Sequence, residues 1–235
     1  MTIRTSLLAL SLVAAASVSH ATVTFQNDGT KEGWPNYPQK PQAHGTITDI
    51  SSPVYIGKTG NASAIKFTQT WLSGYTGRYH SEVDYQGTGT DRYYGEAEFL
   101  PTSWTYAGDN VCIQQWAGTG PWLMMEIRGQ NIVVLPHIAS QQQLGTIARG
   151  VWTRIVVHLR ATGSGAFEAW INGTKKMGLT GNFNPPGTTS VRWSTGCYVT
   201  GWTGKTSKPT PSYREIYGDH YRIATTQAEA DPINW

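Results

Sequence analysis

Three short segments of this chain carry side chains able to move protons on an acidic sugar: Tyr79-His80-Ser81-Glu82-Val83, Ile113-Gln114-Gln115-Trp116 and Trp193-Ser194-Thr195-Gly196-Cys197-Tyr198. They offer an imidazole, a carboxamide and a phenol. If the strands between them pair into a curved sheet, all three meet in one groove. An imidazole or phenol can take or give a proton in a transition state. A fixed amide donor can neutralise a carboxylate whose charge opposes carbanion formation.

The elements that must position these groups read as strands. Period-two alternation recurs and no long helical pattern appears. Over 151–160, Ile155, Val157 and Leu159 share one face while Arg154, His158 and Arg160 share the other. Leu123, Met125 and Ile127 likewise oppose Glu126 and Arg128. Each strand thus has an apolar side for a core and a polar side for solvent or a groove. Asn172-Gly173, between two such runs, predicts a tight hairpin because both residue types tolerate positive φ. With 26 glycines and 12 prolines punctuating short strands, the pattern predicts an all-β, two-sheet antiparallel sandwich or jelly roll. Ser73-Gly74, Gly87-Thr88-Gly89, Gly118-Thr119-Gly120 and Asn184-Pro185-Pro186-Gly187 are expected to be loops. The tail from Thr225 to Trp235 is expected to be peripheral.

The amino terminus has the layout of a secretory signal: Arg4, an apolar run over 7–16, and Ser19-His20-Ala21 as a small-x-small cleavage site. The run is too short to span a membrane, which takes about 20 apolar residues. Residues 1–21 are therefore expected to be removed, leaving one domain over 22–235 in a secreted, extracellular protein. The formal charge of +3 falls to +2 with loss of Arg4, and no basic run concentrates it, so no nucleic-acid partner is expected. No membrane association is expected either, and a monomer is the default. In an oxidising compartment a disulfide between Cys112 and Cys197 is permitted and would add about 3–4 kcal/mol; two buried free thiols are the alternative. Asn61-Ala62-Ser63 and Asn172-Gly173-Thr174 are glycosylation sequons, relevant in a eukaryotic host.

Ten tryptophans and twelve tyrosines against 15 acidic residues favour a saccharide ligand, because aromatic faces stack on sugar rings. Trp71, Trp104, Trp116 and Trp202 lie near loop signals and are the expected sugar platforms; Trp152 and Trp170 sit in strong strand patterns and are expected in the core. A glycosidase would need two opposed carboxyls about 5–10 Å apart. Glu82, Glu96, Glu98, Glu126 and Glu168 all lie on expected strands, but no Glu-x-Asp-x-x-Glu run of the laminarinase type is present. Gly-x-Gly-x-x-Gly, Walker, Gly-x-Ser-x-Gly and His-Glu-x-x-His sequences are also missing, and the six histidines lack metal-ligand spacing. A catalytic zinc is not expected, and no cofactor is needed for the chemistry.

Over about residues 77–225 the chain resembles the secreted polysaccharide lyases of concanavalin-like β-jelly-roll fold, most closely the glucuronan lyases of polysaccharide lyase family twenty. The residues that carry the resemblance are His80-Ser81-Glu82-Val83, Tyr93-Tyr94-Gly95-Glu96-Ala97-Glu98-Phe99-Leu100-Pro101, Gln115-Trp116, Gly150-Val151-Trp152 with Val156-Val157-His158, Trp170-Ile171-Asn172-Gly173, Gly196-Cys197-Tyr198 and Tyr217-Gly218-Asp219-His220-Tyr221-Arg222-Ile223. The resemblance implies cleavage of a 1,4-linked polyuronate by β-elimination. It implies Tyr198 as base and acid, and Gln115 with His80 as neutralisers of the substrate carboxylate. His80 stands where related alginate lyases have arginine, which leaves its role as neutraliser or base open, and Ser194 stands where they have lysine. Arg78, two residues from His80, can supply the missing cation, and Arg192 can help stabilise the phenolate. Gln114 is the rival of Gln115, since strand parity puts them on opposite faces. Trp116, Arg128 and His158 are expected to extend the substrate groove, and Glu82 to orient a neighbour rather than react. Asp219 stands where jelly-roll lyases often place a ligand of a structural Ca²⁺. The expected partner is an acidic polysaccharide, with glucuronan first. A non-catalytic carbohydrate-binding module and a glycoside hydrolase are the alternatives.

Overall fold

The computed structural model describes residues 21–35, 44–58, 60–118, 121–137, 139–161, 164–181, 183 and 190–235. The expected signal peptide over 1–21 and the expected loop at 184–187 lie, but for Ala21, outside the described residues. Among the described residues fourteen strands run in the order β1 (Val23–Asn27), β2 (Gly45–Ile50), β3 (Ala64–Thr70), β4 (His80–Thr88), β5 (Asp91–Phe99), β6 (Val111–Ala117), β7 (Pro121–Arg128), β8 (Asn131–Pro136), β9 (Gln142–Thr146), β10 (Trp152–Arg160), β11 (Gly165–Ile171), β12 (Thr174–Gly181), β13 (Ser190–Val199) and β14 (Tyr213–Ala224). The α-helix among the described residues, α1 (Gln227–Ala230), is a single turn.

The strands form two antiparallel sheets. One has the order β12-β11-β10-β5-β14-β3-β2, with β1 also on β14; the other has the order β4-β13-β6-β7-β8-β9. This is the expected jelly-roll sandwich. The alternations read from sequence are realised in both sheets. Ile155, Val157 and Leu159 of β10, and Leu123, Met125 and Ile127 of β7, all enter the core. Asn172 (φ 51°) and Gly173 (φ 79°) make the tight turn between β11 and β12.

Aromatic side chains fill much of the space between the sheets. Trp34 packs on Trp193 (ring centroids 5.6 Å) and Tyr221 (4.9 Å), and Tyr94 packs on Trp116 (5.9 Å) and Trp193 (5.5 Å). Burying rings of this size contributes more than any other core residue type, and truncating one to alanine costs about 3–5 kcal/mol. These contacts hold β13 and β6 against the opposite sheet. Their other faces are thereby free to carry polar groups.

The tail is not peripheral. The carbonyl of Ala230 lies where a side chain at Gly95 would be, and Trp235 is buried with its ring stacked on His220. The four-residue α1 packs Ala230 with Val156 and Ala224 on the outer side of the eight-stranded sheet. Gly95 has no side chain because this helix sits directly on the strand.

Candidate active site

The outer face of the six-stranded sheet brings together the imidazole, phenol and carboxamide. In β4 the even positions His80, Glu82 and Asp84 alternate with Ser81 and Val83, so the polar set shares one face. Antiparallel pairing sets Tyr198 opposite both His80 on β4 and Cys112 on β6, and Ser194 opposite Gln115. The His80 and Tyr198 rings lie 5.3 Å apart, tilted by 49°.

Glu82 organises the group. It is 3 % exposed, accepts a hydrogen bond from Gln115 Nε2 at Oε1 (2.5 Å) and contacts His80 Nδ1 at Oε2 (2.7 Å). The contact to Gln115 crosses the whole of β13, a span of two strand spacings or roughly 9.5 Å. It is open because the residues it passes, Ser194 and Gly196, are small; Gly196 is the register partner of Glu82. An ionised carboxylate only accepts, so Nδ1 of His80 carries the hydrogen toward Glu82. In a neutral ring that leaves the lone pair on Nε2, and this atom is buried without a hydrogen-bond partner among the described residues. The same logic fixes the amide of Gln115 with its nitrogen toward Glu82 and its second N–H available to another acceptor.

Tyr198 is half-buried. Burial pushes its phenol above the ordinary value, Arg78 pulls it back down, and Cys112, Glu82 and Glu126 push it up further. A phenol held this way keeps its proton at neutral pH. Arg78 itself is exposed, just before β4.

Two further ion pairs flank the group on the same face. Glu126, 3 % exposed, accepts from Arg128 Nε (2.7 Å) and from Thr200 Oγ1 (3.2 Å), and Arg128 also bonds Gln141. Fully buried Asp84 lies 3.7 Å from Arg192 Nε. Each carboxylate sits low while its cation reaches outward. Asp84 was missed in the sequence, although the spacing His80-x-Glu82-x-Asp84 carries the signal.

Several expected site residues lie elsewhere. Gln114 points between the sheets, where its amide bonds Glu96, so it does not line the outer face. Trp116 is fully buried against Tyr94. Trp104 and Trp202 are also buried and Trp71 is half-buried, whereas Trp152 and Trp170, expected in the core, are half-buried on the outside of the eight-stranded sheet. Sugar stacking by Trp104, Trp116 and Trp202 is thus ruled out by burial. His158 is on β10 of the other sheet, held by Asp91 (2.7 Å) and Glu168 (2.8 Å) and stacked on Tyr93, so it takes no part in this face. Cys112 and Cys197 are both free and buried, not bridged. The pairing of Cys112 with Tyr198 leaves Cys197 one residue on, among the core residues between the sheets.

Asp219 is buried in β14 and takes hydrogen bonds from the backbone of Tyr55 (2.8 Å) and His220 (2.6 Å) and from the Asn61 amide (2.5 Å). Asn61 also bonds the Ser63 carbonyl (2.6 Å). A Cβ at Gly29 would meet that carbonyl and lie 2.7 Å from Asp219 Oδ1, so Gly29 closes a small polar cradle. No group of three or more His, Cys, Asp or Glu that could hold a metal occurs among the described residues. A calcium ion in the cradle would draw on Asp219, the Ser63 carbonyl and, with its amide turned, the Asn61 oxygen, completing the usual six to eight ligands with further oxygens.

The outer sheet face of this jelly roll holds an imidazole, a phenol and an oriented carboxamide, the groups that acid–base chemistry uses. The chain belongs to the polysaccharide lyase family, whose model matches residues 26–222, and it is a lyase that acts on a polysaccharide. Its structure is similar to that of the endo-β-1,4-glucuronan lyase from the fungus Trichoderma reesei, with a TM-score of 0.74 and 28% identity over 90% of this chain and 99% of that one. It shares its fold with the cellulose-induced protein Cip1, with a TM-score of 0.55 and 16% identity over 82% of this chain and 91% of that one. No curated protein matches the chain.

Proposed function

We propose that this protein is a secreted lyase that cleaves β-1,4-linked polyglucuronate by β-elimination and leaves a 4,5-unsaturated uronate at each new non-reducing end. The observation that carries the reading is the double hold of Glu82 on His80 and Gln115 beside Tyr198. The likeness to a glucuronan lyase supports the choice of substrate.

Elimination removes the C5 proton, moves its electron pair into a C4–C5 double bond and expels O4, which takes up a proton. The sugar carboxylate must be neutralised first, because a full negative charge at C6 opposes the enolate-like transition state. The second amide hydrogen of Gln115 and the guanidinium of Arg78 supply that neutralisation, and Arg128 and Arg192 engage neighbouring uronates. In 1,4-linked glucuronate the C5 proton and O4 lie on one face of the ring, so neighbouring groups on one side can serve both. Nε2 of His80, with its lone pair free, takes the C5 proton. Tyr198, which keeps its proton in the free enzyme, gives it to O4. The resemblance to jelly-roll lyases implies a second assignment, with Tyr198 doing both; it asks more of the phenol, whose upward shift Arg78 offsets only in part.

The test is ultraviolet absorbance on glucuronan, alginate and neutral β-glucan with a parallel reducing-end assay. Absorbance is expected to rise on glucuronan and not on β-glucan. Tyr198→Phe and His80→Gln are each expected to lower kcat by about 100- to 10,000-fold, the usual weight of a general acid or base, with polymer binding retained. Reducing ends without absorbance would refute elimination. We also propose that a structural calcium ion sits at Asp219; the melting temperature is then higher with calcium than with a chelator, and no change would leave Asp219 as a hydrogen-bonding residue alone.

A further inference from the structure

Behind the outer face, between the sheets, lies a polar group that the reaction does not touch. Glu96 and Glu98, two residues apart on β5, both point inward and are 0 % and 1 % exposed. Glu96 accepts from Thr195 Oγ1 on β13 (2.7 Å) and from the Gln114 amide on β6. Glu98 stands beside Glu96 on the same face of β5, and burial together with the charge of Glu96 pushes its carboxyl well above the ordinary range. Two neighbouring carboxyls enclosed this way do not both ionise, so Glu98 keeps its proton where Glu96 is the carboxylate. Buried Tyr221 on β14 lies within electrostatic reach of both carboxyls, and buried Cys197 on β13 within reach of Glu98. Neither carboxyl makes an ion pair with a lysine or arginine among the described residues.

The two residues that Glu96 grips stand where the catalytic strands slip. The pairing of β6 with β7 shifts between Cys112 and Gln114, and that of β13 with β6 shifts between Thr195 and Tyr198. A one-residue irregularity of this kind re-aims the side chains that follow it. The pairing of β13 with β4 is unbroken and sets Tyr198 opposite His80; the shifts act on β6, setting Cys112 opposite Tyr198 while Gln115, next to Gln114, faces Glu82. Gly196, within the second shift, has φ 143° and a backbone so close to Ser81 that a side chain would meet its carbonyl. Burying a carboxylate carries a large desolvation cost that an apolar core residue at position 96 would not carry. What the carboxylate provides instead is direction, because its two hydrogen bonds are satisfied in one register only.

We infer that Glu96 is a positioning residue for the lyase reaction: by gripping Thr195 and Gln114 it locks the shifted register of β6 against β13, so that Gln115 meets Glu82 beside His80 and Tyr198. This rests on the assignment of those four residues above. The test measures elimination on glucuronan by Thr195→Val, Thr195→Ser and Glu96→Gln, with circular dichroism to count folded protein. Thr195→Val keeps the shape of the side chain and removes the donor. It is expected to lower kcat about tenfold with KM within about twofold, because misplacement of a reacting group acts on the chemical step. Thr195→Ser keeps the hydroxyl and is expected to restore most of the loss, and the Thr195→Val/Glu96→Gln double variant is expected to be no slower than the slower single variant. If Glu96→Gln does not fold, the Thr195 pair decides. Folded variants that melt lower but keep wild-type kcat would overturn the inference and leave the pair a stability feature. Full activity in Tyr198→Phe would instead overturn the underlying site assignment.

Discussion

At the scale of single residues, one carboxylate sets the chemistry of its neighbours. Glu82 spends both oxygens on aligning His80 and Gln115, so the carboxyl that a hydrolase would need as a reacting group is already engaged. Glu126 is likewise held by Arg128 and Thr200, and Glu96 and Glu98 are enclosed between the sheets. The buried pair also has a consequence for stability. Burial first, and then the charge of Glu96, push the Glu98 carboxyl well above the ordinary range. The folded chain therefore holds a proton that the unfolded chain has lost, and the associated stability is complete below the ordinary carboxyl value and falls as pH rises through the raised one. The melting temperature is expected to decline as pH rises above the ordinary carboxyl range, and Glu98→Gln is expected to flatten that decline. A wild-type profile unchanged by the substitution would contradict a proton retained on Glu98.

At the scale of elements, the site is a property of three adjacent strands. β4, β13 and β6 contribute His80 with Glu82, Tyr198, and Gln115, and small residues on the middle strand let the outer two touch across it. Elements distant from these strands should affect stability without affecting turnover. The β11–β12 hairpin is such an element, at the edge of the other sheet. Gly173→Ala forces an alanine into a left-handed conformation (φ 79°) and is expected to cost about 1–2 kcal/mol in chemical denaturation while kcat and KM stay at wild-type values. A large loss of activity there would mean that the two sheets are coupled more tightly than their separate faces indicate.

At the scale of the whole molecule, stability comes from an aromatic core shared by both sheets rather than from a cross-link. Cys112 and Cys197 are free, and burial pushes both thiols upward, which makes them inert. A reductant is expected to leave the melting temperature unchanged, and a thiol reagent is expected to find no reactive cysteine in the native protein and two after unfolding. A drop in melting temperature with reductant would show a bridge after all. The tail belongs to the same accounting: with Ala230 and Trp235 packed on the eight-stranded sheet, the carboxyl terminus is part of the core's cover.

Strand alternation, the Asn172-Gly173 turn, the sandwich class and the pairing of an imidazole with a carboxamide and a phenol were all readable in the amino-acid order. Each depends on residue type and spacing within a few positions, or on motif segments read one at a time. The parity argument separating Gln115 from Gln114 was of this kind, and the two do face opposite ways. Only the tertiary structure decided which polar strand faces become the site. His158 alternates with apolar neighbours as His80 does, yet one lies on the eight-stranded sheet and the other on the six-stranded sheet. Likewise Trp116 and Trp152 exchanged their expected places, and two cysteines expected to bridge face different ways. Sheet membership, slips of register and the side a ring ends on are set by pairing between residues far apart in the chain. No local period encodes that pairing.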